Sequence, residues 1–471
     1  MLEKYNPSDV MHWFEEITKI PHGSMNEKEL SDYIIKFAEE RNLENYRMDE
    51  YVVLIKKPAT KGYEDRKPII LQGHMDMVCE KDPDIDHDFE KDPLELIVED
   101  GWLRANGTTL GGDDGIAVAY MLAILDSDEI EHPAIECLFT TQEEVTMAGA
   151  RSITGEHLDG KYLFNIDGEV EDFLLVGCAG GLTAYTEYKF EPEKFAAPKK
   201  GYKISVNGVT GGHSGQEIEK SRANAIKILG RILNRLDGVR LSFVEGGSKH
   251  NAIPTSAYAT LLTDSIDRVK EVGEELKKGY SYTDPNMDIV VEEVEIDSAM
   301  TEKDSKNLID ILVTVPDGVQ YMDPVFAGLV MTSISNGVLR QEGNSIVLTS
   351  LIRSSNKVAE TEVREKLQTI AETYNATITD DGGYPAWEHE IDAELEKTAI
   401  EMYKEVFKRD PDVRTMHCGL ECGILKTPLP DTEMITFGPD MQDIHTSRER
   451  MKIESVEKVY EFIKKLLVNL K

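Results

Sequence analysis

Apolar residues along the chain follow two spacings, which predict helices and strands in alternation. In Asn26–Arg41 they recur every three or four positions, as on a helix with one buried face, and Asp9–Ile20 and Val456–Leu470 share this spacing. Ser24, three residues before Glu27, predicts a capping box at the start of the second helix. Four apolar runs predict strands: Tyr51–Lys56, Ile69–Leu71, Ile135–Thr140 and Tyr162–Ile166. This order predicts an α/β domain with a mixed, largely buried sheet.

Two breaks in this pattern predict an inserted domain. Residues 191–201 contain two prolines and a cluster of lysines, and residues 381–383 lie in a Gly/Pro stretch, DDGGYP. Between the breaks, residues 202–380 combine amphipathic helical spacing with alternating strand-type runs. We therefore predict a discontinuous domain of residues 1–190 and 384–471, interrupted by an α+β domain of residues 202–380, with 191–201 and 381–383 as linkers.

The composition narrows the classes of function. The formal net charge is −36, from 88 acidic and 52 basic residues in a chain of 471, and such a field repels nucleic acids and anionic membranes. Met1–Ile20 lacks the apolar core of a secretory signal, and the apolar run Gly115–Leu125 is shorter than the ~20 residues that span a bilayer. The five scattered cysteines do not suggest a disulfide framework, and Cys418 and Cys422 are expected to be buried, reduced thiols. We therefore expect a soluble cytosolic protein with neither a nucleic-acid nor a membrane partner.

The segment Pro68–Val78, PIILQGHMDMV, carries the first candidate chemistry. Ile69–Leu71 predicts a strand that delivers His74 and Asp76 at its end. In extended backbone these two side chains point the same way, and a metal-binding imidazole is usually held by a carboxylate at its second nitrogen. An ordinary histidine beside an aspartate is the commoner explanation of this segment taken alone, so further ligands decide the matter.

Four further segments place metal-type ligands where a strand or a tight loop would expose them. They contain Asp113 and Asp114, Glu143 and Glu144, Asp167, and His445. Each has an ordinary explanation when taken alone: a helix start, a solvated acidic loop, a turn aspartate and a surface loop histidine. Together they indicate one metal site, because the strand ends of an α/β sheet converge at a single crevice.

Seven segments carry a resemblance to a known family. They are, in chain order, HMDMV, GTTLGGDDGIAVA, TQEEVTMAG, NIDGE, GGHSG, HNAIP and HCGLECG. Together they resemble the di-zinc peptidases of the aminoacylase/carboxypeptidase-G2 clan, family M20, specifically its aminoacyl-histidine dipeptidase branch. The resemblance runs from the first helices to the last one, in order and with similar gaps. It implies a mixed-sheet zinc-peptidase catalytic domain with an inserted α+β lid domain, which is also the dimerisation domain.

The resemblance assigns five metal ligands. It makes His74, Asp113 and Asp167 ligands of one ion, and Asp113, Glu144 and His445 ligands of the other. Asp113 then bridges the ions, and the resemblance implies a cis peptide bond after it. Three carboxylates and two imidazoles suit borderline divalent ions, zinc first, with cobalt or manganese as substitutes.

The same resemblance makes Glu143 the general base. Its carboxylate removes a proton from a water that bridges the two metals, the hydroxide attacks the scissile carbonyl, and Glu143 delivers the proton to the leaving amine. Asp76 orients His74. The expected activity is the hydrolysis of unblocked dipeptides, with a preference for Xaa-His.

Three residues of the inserted domain match substrate-binding positions of the family. His213 of GGHSG stabilises the oxyanion, from its own chain or from a partner subunit, and both arrangements stay open. Asn251 and Arg353 bind the substrate backbone and its C-terminal carboxylate, for which the arginine fork is the best-shaped side chain. The expected partners are therefore a small peptide and a second copy of the chain, bound through the lid domain.

The chain departs from the family pattern near the expected substrate site. His250 stands where an arginine is common, Cys418 stands where an alanine is usual, and the residues themselves assign no role to His417 or Glu421. One alternative is a related di-zinc amidohydrolase acting on tripeptides or on N-acyl or N-carbamoyl amino acids. A second is a non-catalytic, metal-dependent peptide-binding module, although such a module would not need Glu143 beside a ligand.

Overall fold

The computed structural model describes all 471 residues, which form two compact units. The first unit comprises residues 1–177, 389–415 and 420–471, and the second comprises residues 178–388 and 416–419. None of the helices is both long enough and apolar enough to cross a membrane. No disulfide joins the cysteines; Cys422 is buried, as predicted, whereas Cys418 is only partly buried.

A mixed sheet of eight strands forms the centre of the first unit, as the sequence predicts. Ile69–His74 runs parallel to both Ile135–Thr140 and Tyr162–Asn165, and Tyr162–Asn165 runs parallel to Glu433–Thr436. The first three of these strands are buried along their whole length, which explains their continuous apolar sequences. The order across the sheet is Glu44–Arg47, Val53–Lys57, Ile135–Thr140, Ile69–His74, Tyr162–Asn165, Glu433–Thr436, Phe173–Cys178 and Asp412–Met416.

Helices and a small second sheet complete the first unit. Gly112–Asp126 is buried on every side, as its apolar sequence requires, and it contacts both Ile69–His74 and Ser8–Ile17. The α-helices are Ser8–Ile17, Lys28–Glu40, Gly112–Asp126, Ala148–Ser152, Glu394–Phe407, Glu421–Leu425 and Ile453–Asn469. The small sheet has the order Met441–Gln442, Arg450–Lys452, Trp102–Ala105 and Leu96–Glu99.

The predicted capping box at the second helix is wrong. The helix Lys28–Glu40 begins after Glu27, and no side chain caps its first amides. The Ser24 hydroxyl instead donates to Asp76 Oδ2 at 2.8 Å. The Ser24 side chain is therefore held by a buried carboxylate that the fold brings close, and its oxygen does not accept a helix amide as a local cap would.

A sheet of nine strands forms the centre of the second unit. Its order is Asp288–Ala299, Glu193–Asn207, Ala257–Leu262, Arg240–Gly246, Val330–Glu342, Ser345–Ser354, Gly180–Lys189 and Thr377–Asp380, with Gly318–Met322 paired to Val330–Glu342. Gly212–His213 and Ala252–Ile253 form a separate two-stranded ladder. The α-helices are Ala225–Leu233, Arg268–Gly279, Glu302–Thr314 and Lys357–Thr373. This combination of sheet and helices matches the predicted α+β composition.

The boundary of the second unit lies earlier than the predicted linker. Gly180–Lys189 pairs along its length with Ser345–Ser354, which places it in the second unit. Residues 191–201 are not a linker, because most of them belong to the strand Glu193–Asn207. Pro198 lies in an irregular stretch of that strand, where the pairing shifts between Lys194 and Lys199. A proline is tolerated at such a bulge, so it interrupts the ladder without ending the strand.

Candidate metal centre

The sheet of the first unit brings the five predicted ligands to one edge. His74 ends a strand and lies opposite Thr140 in the parallel register, so residues that follow the neighbouring strands emerge beside it. Glu144 follows Ile135–Thr140, and Asp167 follows Tyr162–Asn165. Asp113 lies at the start of Gly112–Asp126, and His445 lies in the loop before Arg450–Lys452.

Asp113 lies between the two imidazoles. Its Oδ1 is 3.0 Å from His74 Nε2 and its Oδ2 is 3.1 Å from His445 Nε2. His74 Nε2 is also 3.5 Å from Asp167 Oδ1, and His445 Nε2 is 2.9 Å from Glu144 Oε1. The peptide bond after Asp113 is cis, as the resemblance implies. The side chains thus form two groups of three that share Asp113.

Asp114 competes with Asp113 for a place in this arrangement. Ligand atoms of His74, Asp114 and Asp167 approach one another within 4.8 Å, as do those of His74, Asp113 and Glu144. Asp114 is fully buried, however, and its Oδ2 accepts the backbone N–H of His74 at 3.3 Å. Of the two, Asp113 fits the shared ligand position better, because both of its oxygens face an imidazole nitrogen.

The charges of the side chains in this cluster favour a bound cation. Burial lowers the pKa of His74, but hydrogen bonds to Asp113, Asp167 and Asp76 outweigh burial and raise it well above its ordinary value. Hydrogen bonds to Asp113 and Glu144 raise the pKa of His445 to about 11. Burial and the charge of Asp113, opposed by His74, raise the pKa of Asp167 to about 7. Crowded negative charge of this kind is relieved by a bound cation.

The spacing of Glu144 and His445 fits a shared cation. Glu144 Oε1 is buried and lies 2.9 Å from His445 Nε2, a separation at which both atoms can contact one ion. Oxygen and imidazole nitrogen without thiolate suit zinc and its borderline substitutes.

Asp76 contacts both His74 and the backbone of Glu143 and Glu144. His74 Nδ1 is 3.0 Å from the backbone oxygen of Asp76 but 3.5 Å from its carboxylate. The carboxylate accepts the amides of Glu143 and Glu144, at 3.0 and 3.3 Å, and the Ser24 hydroxyl. Its pKa is lowered because these bonds and His74 outweigh burial. Asp76 therefore holds the Glu143–Glu144 backbone as well as contacting His74.

Glu143 lies partly buried among negative charges. Burial raises its pKa well above the ordinary value, and the carboxylates of Asp167, Glu421 and Glu144 add to this effect, with His74 opposing it. A carboxylate with a raised pKa accepts and holds a proton near neutral pH, which a general base requires.

No role was predicted for Glu421, which the fold buries beneath the strand ends. It is fully buried, and its Oε2 accepts hydrogen bonds from Gln72 Nε2 at 2.6 Å and Thr140 Oγ1 at 2.7 Å. Glu449, which the sequence did not single out, binds the backbone around Asp113. Neither contact has a local sequence signal, since the partners are more than 280 positions away.

In the second unit, His213 and Asn251 line one cavity. Gly212–His213 pairs with Ala252–Ile253, which sets His213 opposite Ala252 and beside Asn251. The cavity has a volume of about 350 Å³ and is also lined by Ser248 and Lys249. His213 Nδ1 accepts the amides of Gly215 and Gln216, so its Nε2 carries the proton in the neutral ring.

Arg353 lies in a buried polar cluster of the second unit. Its guanidinium donates to the Tyr384 hydroxyl at 2.7 Å, whereas its Nε has no partner. His417 Nε2 lies 2.7 Å from the hydroxyl of Ser333, which is opposite Arg353 in the strand register. Burial, with the charge of Arg353, lowers the pKa of His417 to about 3. Tyr384 and His417 are thus polar neighbours of Arg353 to which the sequence assigned no role.

The chain is similar to known peptidases along nearly its whole length. Residues 70–469 match the sequence model of peptidase family M20/M25/M40. The cytosol non-specific dipeptidase of Escherichia coli (strain K12) is 34% identical, over 99% of this chain and 98% of that protein. The crystal structure of aminoacylhistidine dipeptidase from Vibrio alginolyticus has a TM-score of 0.93 at 34% identity, covering 100% and 98% of the two chains. A tripeptidase from Staphylococcus aureus shares the fold, with a TM-score of 0.57 at 17% identity over 98% of each chain.

Proposed function

This chain belongs to peptidase family M20/M25/M40, and we propose that it is a metal-dependent dipeptidase that favours Xaa-His substrates. The observation that carries the proposal is the position of Asp113 between His74 and His445, with Glu144 beside His445. Glu143 lies near enough to His74 and Asp167 for their charges to influence its pKa. Similarity over nearly the whole chain to two dipeptidases supports this substrate class.

The centre would hold two divalent ions in the active enzyme. His74, Asp113 and Asp167 would hold one, and Asp113, Glu144 and His445 would hold the other. Zinc is the first choice for these donors, and cobalt or manganese can replace it. The bound ions supply positive charge that lowers the pKa of water and polarises the scissile carbonyl.

Glu143 is the general base of the reaction. It accepts a proton from the attacking water as the water oxygen bonds to the carbonyl carbon. The C–N bond then breaks as Glu143 returns the proton to the leaving amine. Its raised pKa allows it to hold the proton between these two steps. Asp76 fixes the backbone that carries Glu143, through the hydrogen bond to its amide.

His213, Asn251 and Arg353 bind the substrate. Arg353 has an unpartnered Nε and one nitrogen bound to Tyr384, and a peptide C-terminal carboxylate matches the remaining donors. Burial and the charge of Arg353 lower the pKa of His213, which keeps the ring neutral and its Nε2–H available to a developing oxyanion.

The second unit is the lid and dimerisation domain of a cytoplasmic homodimer. The strand Asp288–Ala299 lies at the edge of its sheet, with Glu193–Asn207 as its neighbour, which leaves a long edge open to pairing. Size-exclusion chromatography with light scattering tests the assembly. The expected mass is twice the 52.9 kDa of the chain, and a single-chain mass at micromolar concentration contradicts a dimer.

A small substrate panel tests the activity. The purified chain, with and without added zinc, is given Gly-His, Ala-Leu, Gly-Gly-His and N-acetylhistidine, and free amino acids are measured. We expect zinc-dependent cleavage of both dipeptides, faster for Gly-His, with little cleavage of the other two. A fully metallated preparation that leaves dipeptides intact overturns the proposal. Preference for the tripeptide or the N-acetyl compound favours a related amidohydrolase instead.

A further inference from the structure

Glu449 binds four consecutive backbone amides with one buried carboxylate. Its side chain is almost inaccessible, at 3% exposure. Its Oε2 accepts the N–H groups of Leu110 at 2.7 Å and Gly111 at 3.1 Å. Its Oε1 accepts those of Gly112 at 2.8 Å and Asp113 at 3.3 Å. The proposed reaction gives this carboxylate no role.

The local sequence is built to let the backbone close over this carboxylate. Gly111 has a φ of 66°, a conformation that glycine adopts without strain. A Cβ added to Gly112 would lie 3.2 Å from Glu449 Oε1, so the close approach depends on the missing side chain. The four amides lie just before and at the start of the helix Gly112–Asp126, where unpaired N–H groups favour a negative partner.

Glu449 also belongs to the loop that carries His445. The two residues are four positions apart, and the Glu449 amide donates to the Thr446 carbonyl at 3.0 Å, which folds the loop back on itself. The same loop places His445 Nε2 at 3.1 Å from Asp113 Oδ2. Glu449 therefore joins the two segments that supply Asp113 and His445.

We infer that Glu449 is a positioning residue that holds Asp113 and His445 at the separation required by their shared metal ion. The inference rests on the proposed function, since it concerns the same metal centre. Its physical basis is that charge-assisted hydrogen bonds fix the Asp113 backbone directly, while the loop fixes His445. Loss of a group that orients metal ligands typically weakens metal binding by about 10- to 100-fold.

A purely structural role is the competing explanation, and Glu136 provides a matched control. Glu136 is also 3% exposed, and its carboxylate accepts the amides of Asp159 and Gly160 at about 3 Å. It lies opposite Ile70 in the register, four residues before His74 and thus about 13 Å along the strand from the centre. Both carboxylates stabilise a loop, but only Glu449 contacts a proposed ligand residue.

The experiment compares Glu449→Gln with Glu136→Gln in the full-length chain. Metal-free proteins are titrated with zinc and with cobalt, and the visible spectrum of the cobalt form reports the ligand geometry. We expect Glu449→Gln to bind one of the two ions about 10- to 100-fold more weakly and to alter the cobalt spectrum. Glu136→Gln is expected to lower thermal stability while both affinities and the spectrum stay as in the wild type.

Unchanged affinities and an unchanged cobalt spectrum in Glu449→Gln overturn the inference while leaving the proposed function intact. A wild-type chain that binds fewer than two ions overturns both. If Glu449→Gln does not fold, Gly112→Ala tests the inference in its place. Its added Cβ crowds Glu449 Oε1 without removing the carboxylate. This variant must then also weaken one metal site, and wild-type metal binding by it overturns the inference.

Discussion

Single side chains at the metal centre hold more than one part of it in place. Asp113 presents one oxygen to His74 and the other to His445, so this carboxylate belongs to both groups of proposed ligands. Asp76 contacts His74 through its backbone oxygen and binds the amides of Glu143 and Glu144 through its carboxylate. Substitutions at these positions should therefore separate metal binding from proton transfer.

Glu143→Gln should greatly reduce turnover without removing the bound metal. The amide keeps the shape of the side chain but cannot accept the proton, so kcat should fall by about 10²- to 10⁴-fold, the usual contribution of general acid–base catalysis. Metal analysis should still find two ions per chain. Glu156→Gln, at an exposed glutamate of the same unit, is the control and should keep wild-type kcat. Wild-type turnover in Glu143→Gln would eliminate the mechanism.

His74→Ala and Asp76→Ala should differ in metal content. His74→Ala removes a proposed ligand, and the bound metal should fall from two ions per chain to one. Asp76→Ala keeps every ligand but frees the amides of Glu143 and Glu144, so kcat should fall with a smaller loss of metal. Elemental analysis after dialysis, together with kcat, checks both variants. Equal metal loss in the two would contradict this division of roles.

At the level of elements, polar side chains join four neighbouring strands beneath the centre. Gln72 Oε1 accepts from Asn165 Nδ2 at 2.7 Å, and Asn165 Oδ1 accepts from Thr436 Oγ1 at 2.7 Å. Glu421, from a short helix, accepts from both Gln72 and Thr140. This buried layer fixes the strand ends from which His74, Glu144 and Asp167 emerge.

Glu421 should make the stability of the metal-free protein depend on pH. Burial raises its pKa from 4.5 to about 7, although Thr140 and His74 oppose the shift. Between these values the folded chain keeps a proton that the unfolded chain has lost, so stability falls as pH rises from about 4.5 to 7. Below this window both states are protonated, and above it the loss stays constant, on the order of 3 kcal/mol.

Glu421→Gln isolates this effect because it keeps the acceptor but cannot ionise. Urea unfolding of the metal-free variant and wild type is measured between pH 4.5 and pH 7. The stability of the variant relative to wild type should rise across this range. Glu156→Gln, exposed in the same unit, should show no such rise. Parallel curves for Glu421→Gln and wild type would show that Glu421 is ionised in the folded chain.

At the level of the whole molecule, the proposed metal ligands and the proposed substrate-binding residues lie in different units. All five proposed ligands belong to the first unit, whereas His213, Asn251 and Arg353 belong to the second. Each unit has its own sheet, so the metal centre is built without side chains of the second unit. Substitutions in the second unit should therefore alter substrate binding and leave the metals in place.

Arg353→Ala tests this division. Arg353→Ala removes the guanidinium that is proposed to bind the substrate carboxylate. A charged hydrogen bond of this kind is worth about 1.5–3 kcal/mol, so KM for a dipeptide should rise about 10- to 100-fold. Two ions per chain should remain. Arg235→Ala, at a surface arginine of the same unit that pairs with Glu275, is the control and should keep wild-type KM. Lost metal with an unchanged KM in Arg353→Ala would contradict the division.

Local pattern predicted most elements and the residues of the candidate centre. The predicted strand Ile135–Thr140 has the same bounds in the structure, and the predicted last helix Val456–Leu470 corresponds to Ile453–Asn469. The spacing of apolar residues depends only on residues that are close together in the chain, so it can be recognised from the sequence. The convergence of ligands was also predictable, because strand ends of a parallel sheet meet at one edge.

Only the tertiary structure decided which distant groups hold these residues in place. Ser24 looks like a local cap but donates to Asp76, and Glu449 binds amides more than 330 positions earlier in the chain. The strand Gly180–Lys189 joins the second unit because Ser345–Ser354 pairs with it. Such contacts depend on which segments the fold brings together. The sequence by itself therefore determined the elements and the candidate ligands, while long-range hydrogen bonds decided their supports and the boundary between the units.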